Sequence, residues 1–176
     1  MLAGGAPVLK KGSLSRESTV TNMRKALKDL WMNQTALQEL YAECIDPVCK
    51  KYGLSEIEFK ILVFVHKYPE LNRAADIVKC KGISKSYVSL SVKNLTEKGL
   101  IFGEKKENDR KNIYLYLTPA AAPISAEGLK AQKKYLDLLL KDFEKSEVEA
   151  FLGYFNRINE NVRSAHEISK NSKKKS

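Results

Sequence analysis

The sequence predicts a mainly α fold with one small β-hairpin, and three observations carry that expectation. Apolar residues recur at steps of three and four through most of the 176 residues, the period of amphipathic helices. Only in the stretch 100–117 does the period change to two, as in strands. Serine caps and glycine or proline stops bracket the helical stretches.

Taken in order, residues 1–21 hold Gly4, Gly5, Pro7 and Gly12 among serines and threonines, and read as a flexible arm. A first helix is expected over 22–45, with Met23, Leu27, Leu30, Leu37, Tyr41 and Cys44 on its apolar stripe. Trp31 and Leu40 widen that stripe. Pro47 is expected to break the helix, and Gly53 to end the connection after it. A second helix opens on Ser55 with Glu58 three residues on, a capping box, and stops before Pro69. A third, short helix covers 72–80 with Ala74, Ile77 and Val78 inward, and Gly82 allows the turn after it. Ser84 caps a fourth helix whose inner face is Val88, Ser91, Val92 and Leu95, ended by Gly99.

Residues 100–103 and 112–117 read as the two strands, joined by the charged stretch 104–111. Thr118 then reads as a cap with Pro119 in the first helical turn. Pro123 lies too deep for an unbroken helix, so the fifth helix restarts near it or bends. That helix continues through Leu129, Leu136, Leu140 and Phe143. Ser146 and Glu149 read as a capping box for a last helix carrying Val148, Phe151, Leu152, Phe155, Ile158, Val162 and Ala165. Residues 170–176, KNSKKKS, form a basic tail with nothing to bury.

Composition narrows the function classes. Lys and Arg number 31 against 21 Asp and Glu, a formal charge of +10, which favours a polyanionic partner such as nucleic acid. No apolar run approaches the roughly 20 residues of a membrane span. Three cysteines, Cys44, Cys49 and Cys80, make no disulfide framework and fit a reducing cytosol. No catalytic grouping or Gly-rich phosphate loop is visible, which argues against an enzyme. Cys44, Cys49, Cys80 and His66 lack a recognised metal-ligand spacing, so neither a metal nor another cofactor is expected.

The informative stretch is 71–117: a short helix, a glycine turn, a second helix and a basic hairpin. This is a winged helix-turn-helix, whose second helix fits the major groove of duplex DNA. At 100° per residue, Lys85, Ser86, Ser89, Leu90 and Lys93 fall opposite Val88, Val92 and Leu95. Lysine can donate to guanine or phosphate, serine bonds to either, and Leu90 suits a thymine methyl. Ser84, Ser86 and Tyr87 stand at the helix start, where free backbone N–H groups attract phosphate. A solvated charged face, with Tyr87 in the core, is the competing reading.

The segment ISKSYVSLSVKNLTEKGLI, with Asp109-Arg110 in the wing and Leu117-Thr118 at its exit, resembles the MarR family of bacterial regulators. Leu90 stands where that family often has a basic residue, and Ala121 where it often has glycine. The resemblance implies a homodimer built by the first and last helices. It implies that Arg110 enters the minor groove, oriented by Asp109, with Lys105, Lys106 and Lys111 on phosphates. The domains expected are then an arm (1–21), a dimerisation helix and connection (22–53), the DNA-binding domain (54–118), C-terminal dimerisation helices (119–169) and the tail (170–176). The function implied is a cytoplasmic, nucleoid-associated, sequence-specific transcriptional repressor on a pseudo-palindromic operator. The alternative is a non-specific or architectural DNA-binding protein of the same fold. Release by a signal is also implied. Trp31, Tyr41, Phe59 and Phe64 are candidates to line a cleft for a small aromatic or phenolic effector, against ordinary core packing. Cys44 and Cys49, near Lys50 and Lys51, are candidates for oxidant sensing, against burial on the apolar stripe.

Overall fold

The computed structural model describes residues 15–173. Residues 1–14 of the expected arm and 174–176 of the expected tail lie outside the described residues, as do the side chains of Arg16, Arg110 and residues 170–173. The chain divides into two compact units, Met1–Glu43 and Cys44–Ser176.

The first unit holds α1 and the first half of α2, whose second half belongs to the second unit. Helix α1 (Arg16–Met32) starts within the stretch expected to be an arm, because Ser15 caps it: its hydroxyl accepts the Ser18 N–H at 3.2 Å. Helix α2 (Gln34–Tyr52) follows after a single residue, Asn33, whose N–H turns back to the Asp29 and Trp31 carbonyls. One expected helix is therefore two, and the break falls at Asn33 rather than Pro47. Asn competes well for backbone bonds and so favours a helix end. Pro47 instead lies inside α2. Pro47 is exposed, whereas Val48 and Cys49 beyond it are buried, so packing of the last turn keeps the chain helical.

In the second unit, α3 (Glu56–Lys67) is the central helix. Its capping box forms as expected: Ser55 Oγ accepts the Glu58 N–H at 3.2 Å, and Glu58 Oε2 accepts the Ser55 N–H at 2.9 Å. Phe59, Ile61, Leu62, Val63, Phe64 and Val65 are all buried, which makes α3 the spine of the core. Helix α4 (Ala74–Lys81) begins two residues later than expected. Asn72 is occupied elsewhere: it is buried, its amide donates to the Leu115 carbonyl at 3.0 Å, and its carbonyl accepts the Leu115 N–H at 2.8 Å. Ile77 is fully buried, but Ala74, expected inward, is exposed. Gly82, at φ +65°, makes the left-handed stop that an L side chain resists.

Helix α5 (Lys85–Glu97) is capped by Ser84, which accepts the Tyr87 N–H at 3.4 Å, and packs on both α3 and α4. Strands β1 (Ile101–Lys106) and β2 (Asp109–Leu117) pair antiparallel, with Ile101 opposite Leu117, Glu104 opposite Tyr114 and Lys106 opposite Asp109. The hairpin is longer than expected, since much of 104–111 is strand and only Glu107 and Asn108 form the tip. Thr118 stands at the N-cap position of the short helix that Pro119 opens, as expected, but its side chain makes no capping bond. Its hydroxyl donates to the Gly99 carbonyl at 2.7 Å and ties the end of the hairpin to its start.

A short turn, Pro119–Ala121, leads into α6 (Ala122–Leu139), which starts at Ala122 with Pro123 in its first turn, the restart near Pro123 that was one of the two expected possibilities. It meets α3 closely at Gly128, where a Cβ would stand 2.8 Å from Val63 Cγ2 and 3.0 Å from Phe59 Cε2. The helix ends at Leu139, short of Phe143, which is exposed. Helix α7 (Lys145–Lys173) then begins one residue before Ser146. Its first turn is closed by Glu147, whose carboxylate accepts the Glu144 N–H at 2.8 Å, so the reciprocal bond sits two residues before the expected Ser146 box. Among the described residues, no helix is long and apolar enough to cross a membrane.

Candidate nucleic-acid interface

The face of α5 divides as its sequence requires. Val88 and Leu95 are fully buried and Ser91 nearly so, which docks the helix on the domain. Lys85, Ser86, Tyr87, Ser89, Leu90 and Lys93 are exposed, with Tyr87 59% and Leu90 55% accessible. Tyr87 is thus outside the core. Ser84 lies at the cap, its hydroxyl 3.1 Å from that of Ser86. Lys93 is weakly paired with Glu97 at 3.7 Å, both well exposed, a contact worth little in water. Its ammonium is therefore available to an anion.

What holds α5 in place was not read from the sequence. The Lys98 ammonium, at the end of α5, donates to Glu58 Oε2 at 2.7 Å and to the Gly53 carbonyl at 2.6 Å. Glu58 is only 3% exposed. Burial alone would push its carboxyl up. The Lys98 ammonium, the Ser55 N–H and the Asn94 amide outweigh that and hold it below the usual carboxylate range. One carboxylate therefore serves as cap of α3 and as anchor of the far end of α5. The capping-box signal reveals Glu58, but nothing in the sequence marks Lys98 as its partner.

The wing has its own bracing. Asp109 Oδ2 accepts from Asn112 Nδ2 at 2.7 Å and from the Tyr114 hydroxyl at 2.8 Å. These two bonds hold the Asp109 carboxyl below its ordinary range. Lys106 Nζ lies 4.1 Å from the Tyr114 ring centroid. Tyr114 also bridges to Arg73, and Arg73 forks onto Asp76 at 2.7 and 2.8 Å. The expected role of Asp109 in orienting Arg110 concerns a side chain outside the described residues. Among the described residues Asp109 accepts from the Asn112 and Tyr114 side chains, and both partners were missed. Lys105 and Lys111 are exposed on the hairpin.

Phe59 is fully buried and Phe64 is 4% exposed, so both pack in the core of the second unit. Their apolar bulk wins over access because α3 is surrounded by α5, α6 and β2. Trp31 is 74% exposed. A cavity of about 480 Å3 lies instead between α4, α5 and β2, floored by Val78, Val88, Val92, Ile113 and Leu115, and none of the four aromatic candidates lines it. Cys44 and Cys49 are buried, and Cys80 is exposed. Burial, then the nearby Asp46, push the Cys49 thiol up to about 11, away from a reactive thiolate. Among the described residues no three His, Cys, Asp or Glu side chains are grouped to hold a metal.

Comparison with solved structures places this arrangement. A MarR-family transcriptional regulator from Listeria monocytogenes, complexed with a 26mer DNA, superposes with a TM-score of 0.63 at 21% identity, over 77% of this chain and 87% of that one. A MarR transcriptional regulator from Methanosarcina mazei Go1 gives 0.63 at 18% identity, over 80% and 98%. A MarR-family regulator from Silicibacter pomeroyi gives 0.61 at 18%, over 77% and 89%.

The fold is the MarR fold.

Residues 49–120 also match the family described as sugar-specific transcriptional regulator TrmB. That match spans the core of the winged helix-turn-helix, from the end of α2 to the turn before α6. The matched stretch holds α3, α4, α5 and the hairpin, and within it the Glu58–Lys98 and Asp109–Tyr114 contacts are the side-chain bracing of α5 and of the hairpin.

Proposed function

We propose that the chain is a transcriptional regulator that binds duplex DNA as a homodimer, laying α5 in the major groove and the hairpin along the adjacent minor groove. The observation that carries this reading is the division of α5: Val88, Ser91 and Leu95 are buried, while Lys85, Ser86, Ser89, Leu90 and Lys93 face outward. A rigid helix with polar and basic groups on one side is what direct readout requires. Ser84 and Tyr87 at its start, and Lys105, Lys106, Lys111 and Arg110 on the hairpin, would supply phosphate and minor-groove contacts.

The exposed apolar residues of α1 and α7, Met23, Leu27 and Leu30 on one and Phe151, Phe155, Ile158 and Val162 on the other, support a twofold partner. Two recognition helices about 34 Å apart would then read a pseudo-palindromic operator, and repression by occupancy of that operator follows from the family resemblance. A cytoplasmic location belongs to the same reading. An oxidant signal gains no support at Cys49, and an aromatic effector gains none at Phe59 or Phe64.

The test is a gel-shift against the duplex upstream of the protein's own gene and against random duplex at one salt concentration. Lys85→Ala, Lys93→Ala and Arg110→Ala are run in parallel. A lysine on phosphate should weaken all duplexes alike and lower the salt slope by about one when removed. Equal affinity for both duplexes would favour the architectural alternative, and no binding even in dilute salt would end the DNA reading.

A further inference from the structure

Lys60, Phe64 and Lys67 follow one another along α3 at steps of four and three, so they share one face of the helix. The last turn of α4 brings Lys81 across that face, with Nζ 5.4 Å from the Phe64 ring centroid. Tyr68 packs on Phe64 at 5.1 Å, and Lys67 Nζ lies 6.0 Å from the Tyr68 ring. The result is an aromatic floor with cations around it.

These cations are not balanced. Lys60 is paired with Glu56. Among the described residues, neither Lys67 nor Lys81 has an ion pair, and what sets the two apart from other unpaired lysines is that each lies over a ring of the stacked Phe64–Tyr68 pair. Lys81 is exposed as a residue, but its ammonium is partly desolvated against the ring. That desolvation first, then the charges of Lys67 and Lys60, make its proton easier to lose than usual. A cation–π contact is worth only about 0.5–1 kcal/mol at such a site. An anion seated between the two ammonium groups would turn their mutual repulsion into two attractions. The patch also adjoins the start of α5, since only Gly82 and Ile83 separate Lys81 from the capping Ser84.

We propose that Lys67 and Lys81 form a phosphate-binding site distinct from the outward face of α5. The phosphate comes either from a free phosphorylated anion or from the duplex backbone beyond the contacted groove. This goes beyond the DNA-binding reading and does not require it.

The experiment titrates the full chain with inorganic pyrophosphate by calorimetry and measures the salt dependence of binding to a short and a flank-extended duplex. Wild type is compared with Lys67→Gln/Lys81→Gln, and with Lys130→Gln/Lys134→Gln as a charge-matched control on α6. Thermal unfolding checks that each variant folds, and the site variant should keep its midpoint because the charges removed repel one another. For a free anion, pyrophosphate binding falls by about tenfold or more in the site variant and holds in the control. For the backbone, the salt slope falls by about 1.8 on the extended duplex alone, since each lost contact removes about 0.9. Either result supports the site. Equal pyrophosphate binding in all three proteins with unchanged slopes overturns it, and so does an equal loss in the control. The pyrophosphate arm needs no DNA, so failure of the DNA reading leaves it interpretable.

Discussion

Ser125 keeps its side chain wholly inside the second unit, and its hydroxyl has no hydrogen-bond partner among the described residues. A buried hydroxyl without a partner loses about 1–3 kcal/mol of hydration, and the methyl of alanine fills nearly the same space. Ser125→Ala is expected to stabilise the protein by about 1 kcal/mol, seen as a higher urea midpoint at an unchanged slope. A lower midpoint would show that the hydroxyl has a partner after all. Glu58 is the opposite case, a buried group whose bonds are all needed. Glu58→Gln leaves Lys98 facing a neutral amide, and should cost about 2 kcal/mol at neutral pH. That is less than the loss of a fully buried pair, because the Lys98 side chain is 36% exposed. The folded carboxyl titrates below its ordinary value. Its contribution is therefore complete above that ordinary value of about 4.3, and is lost as the pH falls through the lower folded value. The stability gap between wild type and Glu58→Gln should accordingly narrow below about pH 4. A gap that stays constant into stronger acid would mean that the carboxylate is not its source.

At the scale of elements, the hairpin shows what bracing adds to a strand pair. Two strands alone are marginal in water. Here the Tyr114 hydroxyl on Asp109, with Lys106 over the Tyr114 ring, holds the distal half. Tyr114→Phe keeps the ring and removes the bond. It should change global stability by less than about 1 kcal/mol while speeding amide exchange from Glu104 to Asn112. Unchanged exchange there would mean that the backbone ladder suffices. The same hairpin marks the limit of sequence reading. Its proximal strands were legible from their period of two, but 104–111 carries charge without alternation, and its order comes from side-chain bonds that no period announces. Helix α5 was legible for the converse reason: a 100° rotation separates Val88, Ser91 and Leu95 from Lys85, Ser89 and Lys93, and Ser84 and Gly99 mark its ends. Asn33 was missed because Pro47 is the stronger local breaker. Pro47 was overridden because burial of Val48 and Cys49 is a tertiary effect. The candidate interface was thus readable in the residues that face outward, and unreadable in Lys98, Asn112 and Tyr114, and in the second role of Glu58, which hold them there.

For the whole molecule, the decisive quantity is apolar surface left uncovered. Phe151, Phe155, Ile158 and Val162 follow steps of four, three and four along α7, and each is about half exposed or more. Phe151 and Phe155 stack at 6.1 Å between centroids, so they form a continuous patch rather than scattered side chains. Exposed singly, such residues need no explanation, but a contiguous stripe on a 29-residue helix marks an interface. A net charge of +10 opposes association of two copies, and a buried stripe must outweigh that repulsion at physiological ionic strength, where screening acts over roughly 8 Å. Phe155→Glu/Val162→Glu would place two charges on each side of a twofold contact. The proposed dimer predicts that sedimentation finds the wild type as a dimer and this variant as a monomer, and that the thermal midpoint of the variant loses its dependence on protein concentration. Affinity for a two-half-site duplex should fall towards that for a single half-site, because the second recognition helix no longer binds as an intramolecular event. A wild-type chain that sediments as a monomer at high micromolar concentration would remove the dimer from this account. The outward-facing residues of α5 would then have to act from one copy, with half the proposed contacts and no reason to prefer a palindrome.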